Sequence, residues 1–216
     1  MNLSLFDLPE GKGMRERLGP GTWLLRSFAT ACAADLLEAV RRVAEASPFR
    51  HLETPGGYRM SVAMTSCGEV GWVSDRTGYR YDAFDPLSDR IWPEMPEVFL
   101  TFVRRAAEEA GYLGYVPDTC LINRYEPGAK LTLHQDKDER DFSQPIVSVS
   151  LGLPAVFLWG GADRGEATER LTLRHGDVLV WGGEDRLRYH GVLPLKEGRH
   201  PETERARLNL TFRRAR

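Results

Sequence analysis

The chain has 216 residues, 42% hydrophobic and 28% charged, a composition that excludes a disordered chain and gives enough length for a real core. Its formal net charge of -2 and pI near 6.2 exclude a global attraction to polyanions, so any contact with nucleic acid has to be made by local basic groups. Cys32, Cys67 and Cys120 form no CxxC pair and read as reduced thiols, and neither a leader after Lys12, Arg15 and Arg17 nor an apolar run of membrane length is evident, so a cytoplasmic protein without a membrane partner is expected.

Residues 1–20 carry Pro9, Gly11, Gly13, Gly19 and Pro20 and read as a loosely ordered N-terminal arm. The spacing of Leu36, Leu37, Val40 and Val43 predicts a helix over 30–46, with Thr30 as its N-cap and Ser47-Pro48 as its stop. Residues 54–92 are rich in Gly, Tyr, Trp, Ser and Asp, with short alternating pieces such as Tyr58 to Thr65. They read as small strands and long loops, a lid. A second helix is expected over 96–110, with Pro96 in its first turn, Val98, Phe99, Phe102 and Val103 facing a core, and Gly111 at its C-terminal cap.

Beyond Gly111 the pattern turns to β. The segments 120–125, 131–136, 146–151, 155–159, 170–173, 178–181 and 207–213 are strand-like and separated by Pro, Gly or charged turns. Helices first, then many short strands with no helices between them, argue against a parallel α/β sheet. The expected fold is mainly β with flanking α: a jelly roll over 115–216 with helices packed outside it. Together with the 54–92 lid it makes one domain over 21–216.

His134-Gln135-Asp136 is the most informative tripeptide. On a strand, residues i and i+2 share a face, so His134 and Asp136 can offer an imidazole nitrogen and a carboxylate oxygen to one metal. His190, in Tyr189-His190-Gly191, is a candidate third ligand. Two histidines and a carboxylate on one face of an octahedral metal leave open positions, the pattern of non-haem Fe(II) oxygenases. The chain has five histidines, and His51, His175 and His200 compete with His190 for the third place. His175, in a turn between two strands, suits a structural role, and His51 and His200 stand in charged, loop-like surroundings.

In the segment Arg207 to Arg213, alternation puts Arg207, Asn209, Thr211 and Arg213 on one face and Leu208, Leu210 and Phe212 on the other. If the apolar face meets the outer core, the polar face lines the inside of the barrel. Arginines buried there need an anionic partner, and a pair of them suits a small dicarboxylate such as 2-oxoglutarate. The competing reading is a solvent-facing edge strand, which Arg205, Arg214 and Arg216 keep open. In Asn123-Arg124-Tyr125, an amide and a phenol two residues apart can add neutral hydrogen bonds to the same pocket.

Taken together, these pieces resemble the AlkB family of nucleic-acid dealkylases. The matching stretches are Asn123-Arg124-Tyr125-x-Pro127-Gly128-Ala129, His134-Gln135-Asp136-Lys137-Asp138, the strand 146–153, Trp181-Gly182-Gly183, Tyr189-His190-Gly191 and the R-x-N-x-T-x-R run from Arg207 to Arg213. Thr54-Pro55-Gly56-Gly57-Tyr58 through Met64, with Gly71-Trp72, is similar to the bacterial members. The resemblance spans nearly the whole chain after about residue 20. It implies a double-stranded β-helix with a nucleotide-recognition lid. It also implies Fe(II) on His134, Asp136 and His190, with 2-oxoglutarate and O2 as cosubstrates. Asn123, Arg124, Tyr125, Arg207, Asn209, Thr211 and Arg213 would line the cosubstrate pocket, and Trp72, Tyr79, Arg80, Tyr81, Asp138 and Arg164 would contact the nucleotide.

Leu208 departs from a family member that has tyrosine there, on the face directed away from the cosubstrate. The 72–90 loop is less similar, which leaves substrate preference open. The implied reaction is oxidative demethylation of bases of the 1-methyladenine and 3-methylcytosine type, with formaldehyde, succinate and CO2 released. The implied substrate is alkylated DNA, single- or double-stranded, extending to RNA, acted on by a monomer. The same oxygenase chemistry on a protein or small molecule is the alternative. A non-catalytic nucleic-acid-binding module would need no triad, and the R-x-N-x-T-x-R strand counts against a cupin-like zinc or manganese enzyme.

Overall fold

The computed structural model describes residues 14–216. In chain order its elements are β1 (Arg15–Gly19), β2 (Thr22–Leu25), α1 (Ala33–Ala46), β3 (Arg50–Glu53), β4 (Arg59–Gly68), β5 (Gly71–Asp75), β6 (Gly78–Asp82), β7 (Phe84–Asp85), β8 (Arg90–Ile91) and α2 (Glu97–Glu109). Then follow β9 (Thr119–Tyr125), β10 (Leu131–His134), β11 (Ile146–Gly152), β12 (Ala155–Trp159), β13 (Glu169–Leu173), β14 (Val178–Trp181), β15 (His190–Val192) and β16 (Arg207–Arg213).

An eight-stranded sheet in the order β1-β2-β14-β11-β16-β9-β4-β3 faces a four-stranded sheet in the order β10-β15-β12-β13. This is the expected jelly roll with helices outside it. Alternation decides what each face meets. On β14, Val178 and Val180 join α1 and α2 in one apolar cluster, while Leu179 and Trp181 join Phe157 and Trp159 between the sheets. On β16, Leu210 and Phe212 pack toward the helices with Leu208 beside them, so Arg207, Asn209, Thr211 and Arg213 point between the sheets, where all four are buried.

Several expectations are corrected. The arm over 1–20 is not loose in its second half, since Arg15–Gly19 pairs with β2 and β2 pairs with β14. Pro20-Gly21 is the hairpin turn between the two strands, and a Cβ on Gly21 would collide with the Gly182 carbonyl. Residues 1–13 of that arm lie outside the described residues. Thr30 is not an N-cap. Ser27, at φ 56, turns the chain into a 3-10 turn over Thr30–Cys32, so α1 begins after Cys32 with no side-chain cap. Pro96 stands at the N-cap position of α2 rather than inside it, and Gly111, at φ 90, follows its last turn.

The 54–92 lid is too broad. β4 belongs to the large sheet between β3 and β9 and is buried from Thr65 to Cys67, because helix α1 covers one face and the barrel interior the other. Only the hairpins β5–β6 and β7–β8 stand apart as separate two-stranded sheets. Finally, β10 ends at His134, two residues before the expected 131–136 strand does.

Candidate metal and cosubstrate site

Asp136 therefore lies just beyond a strand, not on one, yet the three candidate ligands meet. The ligand atoms of His134, Asp136 and His190 all lie within 4.8 Å of one another. His134 and His190 are partners in the β10–β15 register. Each imidazole Nε2 is 3.8 Å from an Asp136 carboxylate oxygen. His134 Nδ1 sits 2.8 Å from the Thr132 carbonyl and His190 Nδ1 3.0 Å from the Arg188 carbonyl. Only an N–H can face a carbonyl, so both Nε2 lone pairs are free for a metal.

The electrostatics match this ligand form. Burial, with His134 adding to it, pushes His190 down to about 4, so it stays neutral near pH 7. Burial alone would raise the Asp136 carboxyl, but Arg213, His190 and His134 together hold it below the usual carboxylate range. Arg213 donates to Asp136 Oδ2 from Nε at 2.9 Å and from Nη2 at 2.7 Å.

Beside the triad lies a cationic pocket. Arg207 is 1% exposed. Its Nη2 donates to Ser150 Oγ at 2.9 Å, but Nε and Nη1 have no partner among the described residues. Its guanidinium sits 5.0 Å from the Tyr125 ring centroid. Burial lowers Arg207 from its ordinary value and drives Tyr125 up to about 12 against the pull of Arg207. Arg213 Nη1 and Asn123 Oδ1 are also buried without partners among the described residues. Asn209 is held by Ser148 Oγ and the Val149 carbonyl, and Thr211 donates to Asn209 Oδ1. Buried N–H groups without partners cost stability unless a ligand completes them. A carboxylate ligand supplies the missing acceptors, so the residues present fit a dicarboxylate beside a metal.

Arg124 does not join this pocket. Alternation turns it to the outer face of β9, exposed and paired with Glu126 at 3.2 Å. Sequence reasoning passed over Ser148 and Ser150, although the Ile146–Gly152 strand alternates apolar residues with serines. It also passed over Glu139 and Arg186, both buried. Glu139 was hidden inside the charged run Lys137 to Asp141, which resembles a solvated surface.

At the lid, Trp72 and Tyr79 stack at 5.6 Å and 13°, and Trp72 Nε1 donates to Asp138 Oδ2 at 2.8 Å. Tyr81 does not offer its hydroxyl to a ligand, since it donates to Glu139 Oε1 at 2.6 Å. Arg80 lies on the opposite face of β6, with its guanidinium held by Asp75 at 2.9 Å and near Asp82. Arg164 stands apart on the β12–β13 loop, 6.0 Å from the Tyr189 ring. A cleft of about 450 Å³ opens beneath the hairpins with Met64, Trp72, Ser74 and Trp92 in its walls. No metal-triad residue lines it, so it is not the metal pocket.

The remaining histidines separate from the triad. His51 is exposed and bonded to the Met60 carbonyl. His175, His200 and Glu202 also bring ligand atoms within 4.8 Å of one another. There, however, each Nδ1 accepts a backbone N–H, from Gly152 at 3.1 Å and from Glu202 at 3.3 Å. A neutral ring that accepts at Nδ1 carries its proton on Nε2 and has no lone pair left for a metal. His175 Nε2 instead faces Glu202 at 3.3 Å.

Comparison with known proteins agrees with this geometry. Residues 21–213 match the model of the 2OG-Fe(II) oxygenase superfamily. The chain is 58% identical over 201 residues to the alpha-ketoglutarate-dependent dioxygenase AlkB of Salmonella typhimurium, with 93% of each chain covered. It is 57% identical to the Escherichia coli protein of the same name, again over 93% of each. A solved structure of OsALKBH1 superposes with a TM-score of 0.83 at 31% identity, covering 93% of this chain and 100% of that one.

Proposed function

The chain belongs to the 2OG-Fe(II) oxygenase superfamily and, within it, to the AlkB family, and on that premise we propose that it removes alkyl groups from damaged nucleic-acid bases by oxidative demethylation. It is an Fe(II)- and 2-oxoglutarate-dependent dioxygenase that uses O2. The observation that carries the reading is the pairing of two free Nε2 atoms and a carboxylate with an incompletely bonded, buried Arg207. When bound, Fe(II) with 2-oxoglutarate and O2 supplies the oxidising power that hydroxylates an N-methyl carbon, after which the hemiaminal releases formaldehyde and succinate and CO2 remain as coproducts.

The roles of the residues follow from their surroundings. His134, Asp136 and His190 hold Fe(II) and leave positions open for cosubstrate and oxygen. Arg207, with Tyr125 against it, pairs with a carboxylate of 2-oxoglutarate. Asn123, Asn209 and Thr211 complete the polar wall, and Arg213 holds Asp136 while keeping one N–H for the ligand. The His134 side chain is 37% exposed and that of His190 only 6%, so the substrate arrives on the His134 side. A base inside a duplex cannot reach that depth and has to be flipped out or enter single-stranded.

Trp72 and Tyr79 provide a flat surface for the base, which favours a nucleobase over a peptide, and Arg164 provides a cation for its phosphate. Asp138 favours lesions that carry positive charge, such as 1-methyladenine and 3-methylcytosine. The proposal covers single- and double-stranded DNA and also RNA, with the chain from β1 to its last residue working as one monomeric, cytoplasmic unit. No helix among the described residues is long and apolar enough to cross a membrane. The test is formaldehyde release from a methylated oligonucleotide. It should require both Fe(II) and 2-oxoglutarate, and release that persists without either would overturn the reading.

A further inference from the structure

Tyr81 reaches beneath the lid hairpin to Glu139, which is not one of the three metal ligands but lies against Arg213 of the cosubstrate pocket. Its hydroxyl donates to Glu139 Oε1 at 2.6 Å. Glu139 is 6% exposed and follows Asp136 by three positions in the chain. A buried carboxylate has to be paired, and Glu139 has two cations. Arg213 Nε lies 3.3 Å from Oε1 and Arg186 Nη2 lies 3.1 Å from Oε2. The Arg186 contact is off the hydrogen-bonding line, because Oε2 accepts no bond among the described residues. It neutralises charge without fixing direction. The Tyr81 hydroxyl is thus the shortest and best-directed contact Glu139 makes.

The same two arginines hold Asp136. Arg213 donates twice to its Oδ2, and Arg186 Nη1 donates to its carbonyl oxygen at 2.8 Å. Side chain and backbone of Asp136 are therefore both fixed by cations that also face Glu139. If the hairpin lifts, Oε1 loses its O–H donor inside a low-dielectric site. Arg213 is then the donor within reach, and it cannot turn toward Glu139 without loosening its grip on Asp136.

We propose that Glu139 is a positioning residue that couples the β5–β6 lid hairpin to the metal site, taking the Tyr81 hydroxyl from the closed lid and setting the Asp136 carboxylate through Arg213 and Arg186. The inference rests on the reading of Asp136 as an Fe(II) ligand. Coupling between two sites is reciprocal, so metal binding has to stabilise the closed hairpin as much as closure stabilises the metal.

Hydrogen exchange on the full chain, with and without Co(II) in place of Fe(II), reads both directions without turnover. In the parent chain Co(II) should slow exchange of the backbone amides over 71–82. Tyr81→Phe should speed that exchange roughly tenfold, the scale of one bond to a charged acceptor, and Co(II) should no longer slow it. Glu139→Gln keeps an oxygen for Tyr81 but not its charge, so its metal-free hairpin should exchange faster than the parent's and slower than that of Tyr81→Phe, while its Co(II) d–d spectrum shifts because Arg213 loses a partner. An unchanged hairpin in Tyr81→Phe would overturn the proposal. So would a loosened hairpin that Co(II) still protects to the parent extent, since that describes a structural bond without coupling. A Co(II) spectrum unaffected by Asp136→Ala would overturn the ligand assignment beneath it. Intact coupling in a chain that releases no formaldehyde would overturn the demethylase reading alone.

Discussion

His134 and His190 face each other in register across β10 and β15, with ring centroids 4.4 Å apart. His190 is also wedged against Trp181 at 5.2 Å and Phe157 at 5.7 Å, so its ring is fixed by packing as well as by the Arg188 carbonyl. His190→Gln keeps most of that volume and removes the ligand nitrogen. Consumption of 2-oxoglutarate should cease, and Co(II) affinity should fall by more than about 100-fold, beyond the effect of residues that only orient a ligand. The circular dichroism spectrum should stay that of the parent. Cosubstrate consumption at the parent rate would show that the third ligand is another residue.

What the sequence made legible here was local. The alternation of Arg207, Asn209, Thr211 and Arg213 against Leu208, Leu210 and Phe212 is a property of one strand, and it needed only the right face to be buried. His134 and Asp136 were legible by spacing, although the strand that was to align them stops at His134 and the loop does the work. The illegible parts depend on partners far away in the chain. β2 is a strand because β14 lies beside it, and β4 is a core strand rather than a lid because β9 and α1 cover it. Glu139 sits among charges that look solvated, and only the approach of Arg186, Arg213 and Tyr81 makes it a buried group. Arg124 and Arg80 stand beside functional residues in the chain, but a period of two turns both side chains to the opposite face.

Arg207 and Arg213 are expected to differ, although both stand on the inner face of β16. Among the described residues, Arg207 Nε and Nη1 have no partner, so its burial is uncompensated without ligand. Arg207→Met should weaken 2-oxoglutarate binding by about 3–5 kcal/mol, leave Co(II) affinity near that of the parent, and melt no lower than the parent without ligand. Arg213→Met strips Asp136 and Glu139 of their shared cation. It should lose metal affinity and thermal stability together with the cosubstrate. Calorimetry and thermal melts separate the two patterns, and equal metal loss in both variants would contradict the distinction.

The His175, His200 and Glu202 cluster should take no metal. Both Nδ1 atoms accept backbone N–H groups, so Co(II) titration should saturate at one equivalent per chain, and His175→Gln should not change that number. A second equivalent lost in His175→Gln would refute the proton placement.

The same histidine should make the fold acid-sensitive. Burial, aided by His200 and opposed by Glu202, lowers His175 from its ordinary 6.5. The unfolded chain therefore takes up the proton first as pH falls. Stability is lost from the ordinary histidine range downward until the lower folded value is reached. The melting temperature of His175→Gln should fall less steeply than that of the parent as pH drops below the ordinary histidine value of about 6.5. Parallel slopes would assign the acid sensitivity to other groups.

Trp72 and Asp138 act on the substrate as a pair, because the indole N–H fixes the carboxylate at 2.8 Å. Trp72→Ala removes both the stacking surface shared with Tyr79 and that anchor. Loss of one stacking face is worth about 1–3 kcal/mol of binding, so the Michaelis constant for a methylated oligonucleotide should rise by roughly tenfold or more. The slow decay of 2-oxoglutarate without substrate should be spared, since Trp72 touches neither the triad nor Arg207. Asp138→Asn keeps shape and removes charge. It should narrow the preference for cationic 1-methyladenine over a neutral etheno lesion with little change in stacking. Trp72→Phe keeps an aromatic face but frees Asp138 from its anchor. It should narrow the same preference by a smaller factor, because an exposed carboxylate that can turn into water holds less of its field on the base. Competition between the two lesions measures all three variants. A ratio that stays at the parent value in Asp138→Asn would place Asp138 among ordinary surface charges. A ratio that moves in Asp138→Asn but not in Trp72→Phe would show that the carboxylate acts without the indole holding it.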